Sequence, residues 1–283
     1  MLTRTTGNNE DVDGNDSSLP RRGLLFAVIA AVVIIAVVSF VVWDRSFRRA
    51  GPSNAGVDCP QTIAAKHRVP FAAVGVHRVA LIGDSIMVQA SCALGESLAD
   101  IGVTTTRHAV SGSGLLNGIV DWNQEIGKIL HDDKPDVVVA IFVGNYLGPP
   151  ALSPSGTQIA PDSPEFFTAW QQRAIALSMQ VHAAGARMYW VSPPPIAMGF
   201  LAHAPRLFNG YRHIKGDHVL YSGRVLGNAS GAEVAKMKTC GREREVRVSD
   251  TVHLTDDGGR IYGQQIAHDL SADLGLLTAP RPC

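Results

Sequence analysis

The fold class predicted by the sequence is a single three-layer α/β/α domain with a mostly parallel sheet, and it rests on two patterns. Short apolar runs bounded by turn residues recur through residues 58–283, and segments with a period near 3.6 separate them. The strand-like runs are Arg78 to Ile82, Val103 to Thr106, Asp136 to Val143 and Arg187 to Ser192. The first helical pattern, Ser85 to Asp100, spaces Ile86, Ala90, Ala93, Leu94 and Leu98 along one face. Trp122 to His131, Glu165 to Ala184 and Asp256 to Leu274 follow the same pattern. Strands that alternate with helices pair in parallel and are covered on both faces, because each crossover lays a helix on the sheet.

Composition agrees with a compact unit. Of 283 residues 46% are hydrophobic and 18% charged, with 25 Lys+Arg against 25 Asp+Glu. A zero net charge offers no broad cationic surface for a phosphate backbone, so nucleic-acid binding has no support. The chain is too apolar to be disordered throughout. Its 28 Gly and 16 Pro are near average usage, and no solenoid or propeller period occurs.

Ahead of the domain lie three different segments. Residues 1–20 are rich in Asn, Asp, Gly, Ser and Thr and read as a disordered tail. Residues 21–43 read as a transmembrane helix: Arg21-Arg22-Gly23 introduces an uncharged apolar run from Leu24 to Trp43 with Ser39 as its one polar residue. Such a run spans about 30 Å, one bilayer core, and ends in Trp43-Asp44-Arg45 rather than in a small-residue cleavage site. Residues 44–57, with Gly51-Pro52-Ser53-Asn54-Ala55-Gly56, read as a flexible linker.

Arg4, Arg21 and Arg22 before the span balance Arg45, Arg48 and Arg49 after it, so charge does not orient it. Cys59, Cys92, Cys240 and Cys283 all follow the span, and an even cysteine count suits an exported domain with two disulfides whose pairing stays open. The expected topology is an N-terminus in the cytoplasm and a domain outside. No Cys-x-x-Cys occurs and the ten histidines are scattered, so no metal site is expected.

In an open parallel sheet, ligands bind at the carboxyl ends of the strands. Four strand exits carry chemistry. Leu81-Ile82-Gly83-Asp84-Ser85 breaks an apolar strand at a glycine and starts a helix, which presents the Ser85 hydroxyl and an unpaired N–H of the first turn. Val110-Ser111-Gly112-Ser113-Gly114 lets backbone amides approach a ligand. Phe142-Val143-Gly144-Asn145 sets a polar amide at the end of an apolar run. Ser249-Asp250-Thr251-Val252-His253 pairs a carboxylate and an imidazole three residues apart, a spacing that shares a face in helix-like backbone.

Together these blocks resemble the SGNH/GDSL hydrolase superfamily over Val79 to about Leu274. The resemblance implies a flavodoxin-like sheet, Ser85 as nucleophile, and Asp250 and His253 as its partners. It further implies an oxyanion hole of the Ser85 N–H, the Gly112 N–H and the Asn145 amide, with Gly114 as an alternative to Gly112. It implies no cofactor and no metal. The expected activity is carboxylic-ester hydrolysis on an acylated cell-envelope glycan or lipid. One alternative is an O-acyltransferase that uses the same serine beside a multi-span membrane acyltransferase; another is an inactive glycan-binding module. The Ala, Val and Gly content suits a bacterium, and an actinobacterium in particular.

Three further segments bear on substrate. The Pro-rich stretch from Pro149 to Pro164 either walls the site or is a passive surface loop. Ile196 to Tyr221 shows no clear periodicity, and its His203, Arg206, Arg212, His213 and His218 read mainly as solvated loop, with contact to an anionic or sugar substrate as the alternative. Trp122, Trp170 and Trp190 read as core.

Overall fold

The structure is a computed structural model that describes residues 59–66, 75–146, 151–152, 155–197, 199–276 and 278–282. The tail over 1–20, the membrane helix over 21–43 and the linker over 44–57 lie outside these residues. Among the described residues no helix is long and apolar enough to cross a membrane.

Six strands form the main sheet: β1 (Thr62–Ile63), β2 (Arg78–Gly83), β3 (Thr104–Arg107), β4 (Val137–Ile141), β5 (Arg187–Val191) and β6 (His218–Leu220). Their spatial order is β1-β3-β2-β4-β5-β6. β1 pairs antiparallel with β3, and every other neighbour is parallel. Among the described residues five α-helices accompany them: α1 (Ser85–Asp100), α2 (Trp122–Asp132), α3 (Pro164–Ala183), α4 (Ala204–Tyr211) and α5 (Asp256–Asp273). The expected mixed α/β domain with a mostly parallel sheet is therefore present.

Alternation along the strands builds two cores. On β4, Val137, Val139 and Ile141 join one apolar cluster with Leu94 of α1 and Ile266 of α5. Val138 and Ala140 join another with Ile126 of α2, Phe166 and Trp170 of α3, and Leu207 of α4. Successive strand side chains point to opposite faces, so a strand buried on both sides reads as the unbroken apolar run seen at 137–141. Trp122, Trp170 and Trp190 are core residues, at 3%, 0% and 0% exposure. The indole N–H groups of Trp170 and Trp190 donate to Tyr211 Oη and Asp217 Oδ2, each at 2.7 Å.

From β2 the chain crosses to β3 on one side, whereas from β4 it crosses to β5 on the other. The direction of winding thus reverses between β2 and β4. At such a reversal the flanking loops splay apart and open a crevice at the carboxyl ends of the strands. Ser85 follows β2 and Asn145 follows β4, so both stand at this crevice.

Two parts of the domain differ from the sequence reading. The stretch from Ile196 to Tyr221 contains α4 and β6, elements of 8 and 3 residues, too short to show a period. A hairpin of β7 (Lys236–Thr239) and β8 (Arg242–Glu245) precedes the last helix. Its strands read Lys-Met-Lys-Thr and Arg-Glu-Arg-Glu, so they carry no apolar alternation to announce them. Cross-strand charge supports the pair instead, with Lys236 Nζ 3.1 Å from Glu245 Oε1.

Candidate active site

The site is assembled around the start of α1. Asp84 is its N-cap and accepts the Ile86 N–H at 3.0 Å. The other oxygen of Asp84 accepts the Val143 N–H at 2.6 Å, so the cap also clamps the end of β4. Burial pushes the Asp84 carboxyl up to about 7, against the pull of N–H donors from Val143, Ile86 and Met87. Ser85, at 8% exposure, occupies the first helical position.

His253 lies beside it, with Nε2 2.9 Å from Ser85 Oγ. Its Nδ1 is 2.6 Å from Asp250 Oδ2, while Asp250 Oδ1 accepts the N–H groups of Val252 and His253 at 2.9 and 2.8 Å. Burial raises the Asp250 carboxyl, but these hydrogen bonds together outweigh it and hold the group down at about 2. An ionised Asp250 needs a hydrogen on Nδ1, which leaves the Nε2 lone pair to receive the Ser85 proton. The side chains of His253 and Asp250 are 22% and 27% exposed, open enough to meet a ligand.

The Asp250–His253 segment is not the helix-like turn its spacing suggested. It is irregular backbone in which Thr251 sits at φ +63°, an uncommon conformation for a β-branched residue. Two side chains that sequence reasoning missed hold it in place. Gln89, one turn beyond Ser85 on α1, donates to the Leu254 carbonyl at 3.0 Å and accepts the Leu254 N–H at 2.9 Å. The buried Arg247 donates to the carbonyls of Val252 and Pro195. Neither residue belongs to a recognisable motif; a glutamine four residues after the serine, on the same helix face, is the one available signal.

The two glycines of the Val110 to Gly114 block divide their tasks. The Gly114 N–H donates to Asn117 Oδ1 at 2.9 Å, and a Cβ there would stand 2.0 Å from the Asn145 carbonyl oxygen. Gly112 is at φ +77°, and among the described residues its N–H donates to nothing. Its carbonyl accepts Asn117 Nδ2 at 2.7 Å, which fixes the loop. Asn145 donates through Nδ2 to the Ser113 carbonyl at 3.3 Å and keeps its second amide hydrogen. The loop is further tied to the serine block, because the Val110 N–H and Ser113 Oγ donate to the Gly83 carbonyl at 2.9 and 3.1 Å. Gly114→Ala is therefore expected to lower the melting temperature by several degrees through overpacking of about 1–3 kcal/mol. A thermal melt beside Gly112→Ala checks this.

A groove of about 690 Å³ lies between Val88 of α1 and Gln124 of α2. Val88, Val110, Ile119, Gln61, His108 and Gln124 are among its lining residues. The Cys59–Cys92 disulfide fastens the segment before β1 to α1 at its edge, and Cys240 is likewise disulfide-bonded.

The histidine and arginine cluster of residues 203–218 is not uniformly solvated loop. Arg206, Arg212 and His213 are exposed, but His203 is buried at 6% beneath the Gly144 backbone. Tyr146, next to Asn145, donates through Oη to the Ile159 carbonyl at 2.8 Å.

Residues 78–269, more than half of the chain, match the family described as "Protein of unknown function (DUF459)". The chain belongs to the DUF459 family. No curated protein matches it. Among solved structures, this DUF459 chain is similar to the psychrotrophic esterase EstA from Pseudoalteromonas sp., with 11% identity, a TM-score of 0.48, and 70% and 99% of the two chains covered. It is also similar to the periplasmic domain of the lipopolysaccharide acetyltransferase of Salmonella ser. Paratyphi A, with 15% identity, a TM-score of 0.48, and 80% and 95% covered. A G-D-S-L family protein from Desulfitobacterium hafniense, described as lipolytic, shares 14% identity at a TM-score of 0.44, with 67% and 97% covered. The four sequence blocks of this DUF459 domain converge on one crevice.

Proposed function

We propose that the chain is a serine hydrolase of acyl esters, acting on a glycan or lipid of the cell envelope. The observation that carries this reading is the continuous hydrogen-bonded relay from Asp250 through His253 to Ser85, beside the Gly112 N–H, which among the described residues donates to nothing. In the reaction, His253 Nε2 takes the Ser85 proton while Oγ bonds to the ester carbonyl carbon. The oxyanion is held by the N–H groups of Ser85 and Gly112 and by the Asn145 amide. Collapse breaks the bond to the leaving oxygen, which takes the proton from His253, and an acyl-Ser85 remains. Water repeats the sequence in reverse and frees the acid; a sugar hydroxyl in its place yields the transferase reaction.

The Cys59–Cys92 disulfide supports an extracytoplasmic domain, held to the membrane by the apolar run over 24–43.

The test is to incubate the full chain in detergent with a fluorophosphonate probe and with short-chain nitrophenyl esters, with and without a glycan acceptor. Labelling and ester cleavage that both vanish in Ser85→Ala are expected. Acyl transfer to the glycan that outruns hydrolysis would assign the transferase reaction, in which a multi-span partner delivers the acyl group. A wild-type chain that neither labels nor cleaves would overturn the enzyme reading in favour of a binding module.

A further inference from the structure

We infer that His203 and Asp162 form a positioning pair behind the oxyanion hole, fixing the peptide that carries Asn145; this rests on the esterase reading above. His203 occupies the N-cap position of α4, where a polar side chain ordinarily bonds to its own helix, yet it makes no capping bond. Its ring turns instead toward the β4 exit. Nε2 is 2.9 Å from the Gly144 carbonyl oxygen, and Nδ1 is 2.7 Å from Asp162 Oδ1. Both partners are acceptors, so both bonds are made together by a ring that carries hydrogen on each nitrogen.

Packing leaves the ring one position. It lies against Phe166 with 5.1 Å between centroids, and a Cβ on Gly144 would stand 2.3 Å from Nε2. A glycine is thus required at 144 for the imidazole to reach the backbone at all. Asp162 itself sits at φ +62° on the Pro-rich loop, with its side chain 53% exposed.

The consequence falls on Asn145. The Gly144 carbonyl belongs to the peptide plane that precedes Asn145, and His203 holds that plane. The following carbonyl, that of Asn145, accepts Asn117 Nδ2 at 3.4 Å. With the planes on both sides bonded, the direction of the Asn145 side chain is set before any substrate arrives. Preorganised donors of this kind act in the transition state, so their loss lowers turnover more than binding.

The experiment is a double-mutant cycle in the full chain, read by nitrophenyl-ester kinetics and by the rate of fluorophosphonate labelling. His203→Ala and Asp162→Asn are expected to lower kcat by about 10 to 100-fold with KM changed less than about threefold. His203→Gln, whose Nε2 hydrogen can still reach the Gly144 carbonyl, is expected to recover part of the loss. In an Asn145→Ala background, removing His203 is expected to cost less than about threefold more, since the group it positions is gone. Additive losses, or a full rate in Asp162→Asn together with His203→Gln no better than His203→Ala, would overturn the pairing alone. A wild-type chain that neither labels nor hydrolyses would overturn the esterase reading and the pairing with it.

Discussion

His253→Ala and Ser85→Ala are each expected to lower kcat by about 10⁴ to 10⁶-fold, and the double variant by no more than the larger single loss. The relay explains the lack of additivity. His253 Nε2 at 2.9 Å from Ser85 Oγ has no proton to take once the hydroxyl is gone, and the hydroxyl has no base once the ring is gone. Asp250→Asn is expected to cost less, because it leaves both reacting groups and disturbs the tautomer. An amide in place of the Asp250 carboxylate can offer N–H toward Nδ1, which draws the ring hydrogen to Nε2 and points it at Ser85. Steady-state kinetics on the four variants check this, and independent losses that multiply would break the unit. With Asp250 held down at about 2, acid does not remove its charge until far below neutrality. The depressed value contributes stability that is present above the ordinary carboxylate pKa and is lost as pH falls through about 2.

Asp84→Asn is the second large effect. The side chain is fully buried and faces only donors, at 2.6 Å from Val143 N and 3.0 Å from Ile86 N. An amide can accept one of these bonds, and its NH₂ then meets an N–H. A buried donor left unsatisfied costs about 1–3 kcal/mol, and Val143 is two residues from Asn145. We expect kcat to fall about 100-fold through a displaced oxyanion hole, and the melting temperature to fall by about 2–4 °C for each kcal/mol lost.

The pH dependence of stability separates the charge from the geometry. The carboxyl of Asp84 is pushed up to about 7 in the fold, above its value of about 3.9 in an unfolded chain. Its contribution is full below pH about 4 and is lost as pH rises through about 7. Urea melts between pH 4 and 8 should show wild-type stability declining relative to Asp84→Asn across that window. A flat difference would mean that the N–H donors fully compensate the burial.

Much of the site was legible because its chemistry sits in short, local signatures. Gly83-Asp84-Ser85 is a strand exit and a helix cap in three residues, and Asp250 and His253 lie in one loop. Gln89 and Arg247 were not legible, since each acts on a segment brought near by folding: Gln89 reaches Leu254, 165 residues away. His203 was misread for the same reason. A histidine among exposed arginines looks solvated until the sheet places Gly144 above it.

By itself the sequence determined the alternation of buried strands and amphipathic helices, hence a parallel sheet, and the residue types able to act as nucleophile, base and oxyanion donors. It also marked the apolar run over 24–43, which the described residues do not reach. The tertiary structure alone decided three matters: the reversal of winding between β2 and β4, the pairing of Cys59 with Cys92, and the division of labour between Gly112 and Gly114. Periodicity and caps depend on neighbours within a few residues, and so they survive in one dimension. Which N–H stays free depends on contacts across tens to hundreds of residues, and these exist only once the chain has closed on itself.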